Sequence, residues 1–317
     1  MSTKHLLTSL LCLPLLAHAA ELNLPLLPAE AAVIEKIAAI EGIELVRAAK
    51  PGFAAKNAAD ALAAYGVKGP VAAFAVHDQS SEKRAITISH DQAGHILAIS
   101  GNGPWLRNEA YAHLAALPEL RMIRIDHNTP TPGSKGDPGL YNGAGISALE
   151  NSKLVQIKIG HAFDDNGMKS LARVKSLHIA HIGHSKVTDA GVAALAGHPG
   201  LEEFSISSQG RSNRVTEKCL SALATLPKLE RLGLHETFLT YHGGLKHLAA
   251  LKGRLKSVSL KMTLVLPGDV EKLKADHPGL EVETSAPAEI LANPNARGVQ
   301  SWASPEAVAY LKSNAKP

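Results

Sequence analysis

The chain has 317 residues, with 45% hydrophobic and 20% charged types, which excludes a disordered or fibrous polymer and allows one extended domain or two compact ones. Aromatic residues are only 4%, too few for the stacking platforms that bind single-stranded nucleic acid, and a formal charge of +4 gives no electrostatic case for a nucleic-acid partner. Sixteen histidines are the one compositional oddity.

In chain order, Lys4 and His5 precede an apolar run from Leu6 to Ala17, and Ala17-His18-Ala19 supplies small residues at both positions that a signal peptidase reads. Residues 1–19 therefore read as a secretory signal, too short for a membrane span, and no later stretch is apolar for long enough to be one. The expected location is exported, periplasmic or extracellular. Without the signal, Cys219 stands alone, so no intramolecular disulfide is available and packing must supply the stability. Residues 20–93 read as an amino-terminal cap: Ala29 to Ile40 has apolar residues at helical spacing, Asn57 to Tyr65 is a second Ala-rich helical stretch, and Val71 to Val76 with Ala85 to Ser89 reads as two strands.

From residue 94 to 283 a spacing apolar-x-x-apolar-x-apolar recurs. It stands at Leu120/Ile123/Ile125, Leu154/Ile157/Ile159, Val174/Leu177/Ile179, Leu201/Phe204/Ile206, Leu229/Leu232/Leu234 and Leu255/Val258/Leu260, with a degenerate first copy at Gly94/Leu97/Ile99 and a shortened last copy at Leu280. The seven full copies start 26, 34, 20, 27, 28 and 26 residues apart. Between them an apolar pair at i and i+3 recurs, as in Tyr111/Leu114, Ile146/Leu149, Met168/Leu171, Val192/Leu195 and Leu220/Leu223. Helix-start residues such as Thr188-Asp189 and Thr216-Glu217 precede these pairs, so each unit reads as a strand followed by a helix. Asp164-Asp165-Asn166 falls at the same place and reads as a cap rather than as calcium ligands.

The segments Leu117 to Asn128 and Val187 to Leu195 resemble leucine-rich repeats of the helix-containing, ribonuclease-inhibitor-like variety found in exported bacterial proteins. The resemblance implies an α/β solenoid, a horseshoe arc with a parallel strand ladder inside and helices outside, and a scaffold for binding. Its turn-bonding position, eight after the first anchor, holds Asn102, Asn128, Gln209, Thr237 and Thr263, while Ala162 and Ile182 depart from the pattern. Seven strands at about 4.8 Å spacing would line an inner arc of roughly 30 to 35 Å. An insertion at 129–139, rich in Pro and Gly, should leave the ladder as a surface loop. Residues 284–317 form a tail with an irregular, mobile stretch around 293–298 and a helix from Pro305 to Lys312 capped by Ser304.

Catalytic signatures fail. His235-Glu236 has Leu239 where a zinc protease needs its second His, Gly101-x-Gly103 lacks a third Gly, and no haem-attachment motif occurs. No cofactor is expected. In the repeat register His127, His161 and His181 fall seven after the first anchor and should stack as one column, a candidate metal site; a metal-dependent or enzymatic protein using this His-rich region is the alternative function. The leading expectation is a non-catalytic module that recognises a protein or an acidic polymer. Four after each first anchor stand Ala98, Arg124, Lys158, His178, Ser205, Gly233 and Ser259, which should face the concave side. Arg124, Lys158 and His178 would then be adjacent cations, with Asp126 partly neutralising Arg124, and Arg231 and His235 complete the candidate partner-binding residues.

Overall fold

The computed structural model describes residues 25–48, 62–130, 136–207, 214–301 and 303–315. The expected signal sequence, most of the second helical stretch expected in the cap and Gln209 lie outside the described residues. Helix α1 (Pro28–Glu41) starts on a proline, ends at Gly42 in the left-handed region (φ 65°), and buries Val33, Ile34, Ile37 and Ala38. The buried carboxylate of Glu30 accepts from the backbone N–H of Ile96 (2.6 Å) and lies 2.7 Å from the His95 ring, which ties the helix to the ladder. Strands β1 (Leu45–Arg47), β2 (Ala72–Asp78) and β3 (Ser81–His90) pair antiparallel, and β3 pairs antiparallel with β4 (Ile96–Asn102), so the cap continues the same sheet.

From β4 onward the sheet is parallel. The order is β4, β5 (Met122–Asp126), β6 (Gln156–Gly160), β7 (Ile179–Gly183), β8 (Glu203–Ser207), β9 (Arg231–His235), β11 (Ser257–Leu260) and β13 (Glu281–Thr284), while β10 (Phe238–Leu239) and β12 (Leu264–Val265) form a separate parallel pair. This is a leucine-rich repeat solenoid. Each unit cannot bury its apolar face alone, and stacking produces one continuous core. The second and third anchors of β5, β6, β8, β9 and β11 are all buried, as are the pairs from Tyr111/Leu114 to Leu220/Leu223 in the connecting segments.

The strand pairing corrects the register of the first and fourth copies. Ile157 pairs with Ala180 and Ala180 with Phe204, so the fourth copy is Leu177/Ala180/Ile182 rather than Val174/Leu177/Ile179. Ile99 pairs with Ile123, which makes the first copy Ile96/Ile99/Gly101. The units now start at Ile96, Leu120, Leu154, Leu177, Leu201, Leu229 and Leu255, and the 20-residue repeat becomes one of 23. With Leu177 as first anchor, the turn-bonding position of that unit is the buried Ser185, whose Oγ accepts from Val187 N–H. Asn102 leaves that column and ends β4 instead; Asn128, Thr237 and Thr263 keep it, each fully buried and bonded to backbone of an earlier segment.

The connecting segments are helical but only partly α. Helices α2 (Ala110–Leu114), α3 (Asp165–Leu171), α4 (Asp189–Ala193) and α5 (Leu220–Leu223) are α-helical, whereas Ala144–Leu149 and Leu245–Leu251 are 3-10 helices. Pro138–Tyr141 is also a 3-10 turn, so the end of the 129–139 insertion rejoins the solenoid; residues 131–135 lie outside the described ones. After α6 (Pro267–Asp276) come α7 (Pro287–Ala292), α8 (Pro294–Arg297) and α9 (Pro305–Asn314), so the expected irregular stretch around 293–298 folds as a short helix, and Ser304 caps α9 through the N–H of Ala307. No helix among the described residues is long and apolar enough to cross a membrane.

A second ladder runs along the starts of these segments. The carboxylate of Asp165 accepts from the N–H (2.8 Å) and hydroxyl (2.7 Å) of Thr188; Asp189 does the same for Thr216, and Glu217 for Thr240. Asp164 caps its own helix through Asn166 and Gly167 N–H, which is the capping role expected for it. The approach is close enough that a Cβ on Gly191 would overlap the Asp165 carboxylate, and one on Gly243 would overlap that of Glu217. Asp189→Ala removes two charge-assisted hydrogen bonds between repeats and is expected to cost about 1.5 to 3 kcal/mol in urea unfolding. A cost under 0.5 kcal/mol would mean that water replaces the carboxylate without loss.

Candidate functional site

The corrected register resets the inner face. The column four after each first anchor reads Ser100, Arg124, Lys158, His181, Ser205, Gly233, Ser259 and, in the last strand, Glu283. His178 is therefore not part of it, and Ser100 replaces Ala98. The expected row of adjacent cations is also relieved. Lys158 Nζ is 2.9 Å from Asp126, His178 Nδ1 is 2.8 Å from Glu202, and His181 Nε2 is 2.6 Å from Glu203. Arg124, expected against Asp126, has no ion pair among the described residues.

Much of the face at β4 and β5 is covered by the chain itself. Leu62, fully buried, packs with Val67 and Val71 against Leu97, Ala98 and Met122. Tyr65 of the same segment sets its ring 5.3 Å from that of His178, and burial, with Glu202 adding to it, pushes its hydroxyl pKa up.

Over β7 to β13 the face opens into a hollow of about 630 Å³. Ser205, Gly233, Ser257 and Ser259 give it a floor of small side chains, and His181, Glu203, Arg231, His235, Glu281 and Glu283 form its walls. At Gly233 an added Cβ would stand 2.8 Å from Ser205 Cβ and 3.2 Å from His235 Nε2, so the missing side chain is what lets the His235 ring lie across the strand. Glu203 holds the wall together. Its Oε1 meets His181 Nε2 at 2.6 Å and its Oε2 accepts from Arg231 Nε, also at 2.6 Å. The hydrogen bond from His181 and then that from Arg231 hold the Glu203 carboxyl at about 2, well below the usual carboxylate range, although burial opposes them. Burial pushes the His235 imidazole down, and its Nε2 lies 3.3 Å from Ser259 Oγ, which in turn donates to Glu283. Arg231 and His235 thus belong to one hollow, while Lys158 on β6 lies one strand outside it and Arg124 and Asp126 on β5 lie two strands outside it. Glu203, Glu281 and Glu283 are the wall residues that sequence reasoning missed.

The column of rings is His127, His161 and His184; His181 lies on the strand instead. All three stand seven after a first anchor, as do Glu236 and Met262, and all five have left-handed backbone, with φ of 56°, 57°, 44°, 58° and 57°. The rings of His127 and His161 stack at 4.4 Å with 32° between planes, His161 meets the edge of His184 at 6.3 Å, and His184 Nε2 is 3.1 Å from Glu236. Burial pushes His161 down, helped by its two imidazole neighbours, and the hydrogen bond to Glu236 pushes His184 up. Among the described residues no three His, Cys, Asp or Glu side chains converge on one ion position. Cys219 is buried, and burial raises its thiol, which makes it inert packing.

No family model matches the chain, and no curated protein matches it. Solved structures do. An internalin from Listeria monocytogenes is 15% identical over 60% of this chain and 48% of that one, with a TM-score of 0.37. A leucine-rich repeat protein from Leptospira interrogans is 17% identical over 54% of this chain and 39% of that one, with a TM-score of 0.35. The chain spans less than half the length of either. What makes it a leucine-rich repeat solenoid is its own strand register.

Proposed function

We propose that the protein is a non-catalytic binding module that takes a protein partner on the inner face over β7 to β13. The hollow above Gly233 carries this reading. It is concave and lined by polar groups fixed to rigid strands, and its wall charges are already oriented by one another before any partner arrives. Such preorganisation favours a specific ligand segment over a diffuse acidic polymer, because Lys158, His178 and His181 each already have a carboxylate within 3 Å. A nucleophile is a poor reading of Ser259. Its hydroxyl donates to Glu283, and among the described residues His235 has no carboxylate hydrogen-bonded to its other nitrogen.

The reading goes with an exported chain, cleaved after Ala19, whose partner is sought in the periplasm or outside the cell. The test is capture from envelope and cytosolic extracts by the mature protein, beside the double variant Ser205→Trp, Ser259→Trp, which fills the hollow from positions that point away from the core. The wild type is expected to retain one partner from the envelope extract, and the variant to lose it by about tenfold or more, the scale of a lost anchor pocket. Equal capture by both would move the site off the hollow.

A further inference from the structure

The hollow ends at β13, the last strand of the parallel ladder and one edge of the sheet. Backbone groups alternate between the two sides of a strand. The N–H of Glu281 donates to the carbonyl of Lys256 at 3.1 Å, so Val282 and Thr284 turn their N–H and C=O groups away from β11. Among the described residues no further strand pairs with them. The tail does not close this edge, because it buries Ile290, Ala296, Val299, Ala307 and Leu311 in a cluster around Leu264 of β12 that includes no β13 residue. Glu281, Glu283 and Thr284 are exposed, and Val282 is only half-buried where it packs on the end of the core. Side chains alternate too, so the two carboxylates share the inner face and Val282 lies between them on the other. Glu281 has no ion pair among the described residues. Glu283 meets Lys261 at 2.8 Å, but both are more than half exposed, and such a pair contributes little. A second copy of the chain paired on this edge would set its own Glu281 and Glu283 beside these two, which like charges oppose. Basic side chains two residues apart are what the edge accepts.

We propose that a protein partner adds a strand to β13, and that this strand is an extended segment of alternating basic and apolar residues. Its backbone pairs with the outward groups of Val282 and Thr284, its lysines or arginines meet Glu281 and Glu283, and the apolar residue between them covers Val282. The proposal rests on the reading of the hollow, whose outer wall is this strand, and names the chemistry of the segment that docks there. Main-chain pairing supplies the affinity, and the two carboxylates select against acidic segments and against self-pairing. Because both carboxylates are exposed, their share of the affinity falls as salt rises.

The test uses full-length, tag-free protein titrated with a short, end-blocked peptide of alternating lysine and valine, followed by calorimetry and by backbone ¹⁵N–¹H resonances. The Val282 and Thr284 resonances are expected to shift first, and their amide protons to exchange more slowly with solvent. The same peptide N-methylated throughout keeps its charge but has no strand donors, and is expected to bind the wild type about tenfold or more weakly. Glu281→Lys with Glu283→Lys, at two exposed positions off the core, is expected to weaken the parent peptide by about tenfold or more. No shift of Val282 and Thr284 at millimolar peptide, equal binding of the two peptides, or undiminished binding by the double variant would overturn the strand addition. Capture from envelope extract is read separately, so a peptide that fails to bind while capture persists overturns this proposal and leaves the hollow as the partner's seat.

Discussion

Leu232→Ala is expected to lower the unfolding free energy by about 2 to 5 kcal/mol, the range for emptying a leucine-sized volume in a close-packed core. Leu232 is the second anchor of β9 and only 2% exposed. In register it lies between Phe204 of β8 and Val258 of β11, so the cavity would open against the neighbouring repeat on each side. In a solenoid that placement matters, because stability is carried by the interfaces between neighbours and one weak interface can uncouple the two halves. Ser257→Ala, on the opposite face of the next strand, is expected to stay within about 0.5 kcal/mol. Urea unfolding of the three proteins makes the comparison. A loss below 1 kcal/mol for Leu232→Ala would mean that the core relaxes around the cavity far more than such cores do.

The same anchors show how far the repeat pattern could be read from the residues. Where the anchors are large and aliphatic, as in β5, β6, β9 and β11, the spacing alone gave the register, because each burial position demands volume. It failed where small residues hold anchor places. Ala180 and Gly101 do not announce themselves as core. In addition, the residue three before a first anchor is often buried too, as with Leu117 before Leu120 and Val174 before Leu177, so Val174 and Leu177 imitate a first and second anchor. A slip of three is odd, and strand side chains alternate with period two, so that error exchanged His178 with His181 on the inner face. The slip of two in the first copy kept the face and only moved the position from Ala98 to Ser100. The helical connections were visible as apolar pairs at i and i+3, but that spacing serves a 3-10 turn as well as an α-helix, which is why Ala144–Leu149 and Leu245–Leu251 were not told apart from α5. The site was less legible than the fold. Glu202 and Glu203 gain their roles only across strands, from His178 and His181 more than 20 residues earlier, and no local motif marks such a pair.

Glu203 also sets an acid limit on the inner face. Its folded carboxyl lies at about 2 against an ordinary value of 4.5, so the folded state holds the ionised form more strongly than the unfolded chain does. A depressed carboxylate contributes stability that is fully present above the unfolded value and is lost as pH falls through the folded one. The window therefore runs from about pH 4.5 down to about 2. A displacement of this size corresponds to at most about 3.4 kcal/mol, and solvent screening of a side chain that is 26% exposed reduces it to about 2 to 3 kcal/mol. Arg231 remains a cation throughout that window, so the loss tracks protonation of the carboxylate and not of its guanidinium partner. Urea unfolding of the wild type and Glu203→Gln at pH 6, 4, 3 and 2 reads this out. At pH 6 the variant is expected to be less stable by about 2 to 3 kcal/mol, and the gap should close steadily toward pH 2 as the native carboxylate protonates and comes to resemble the amide. A gap that stays constant over the whole range would show that the variant is weakened by its altered contacts alone, and that His181 and Arg231 do not hold the Glu203 charge.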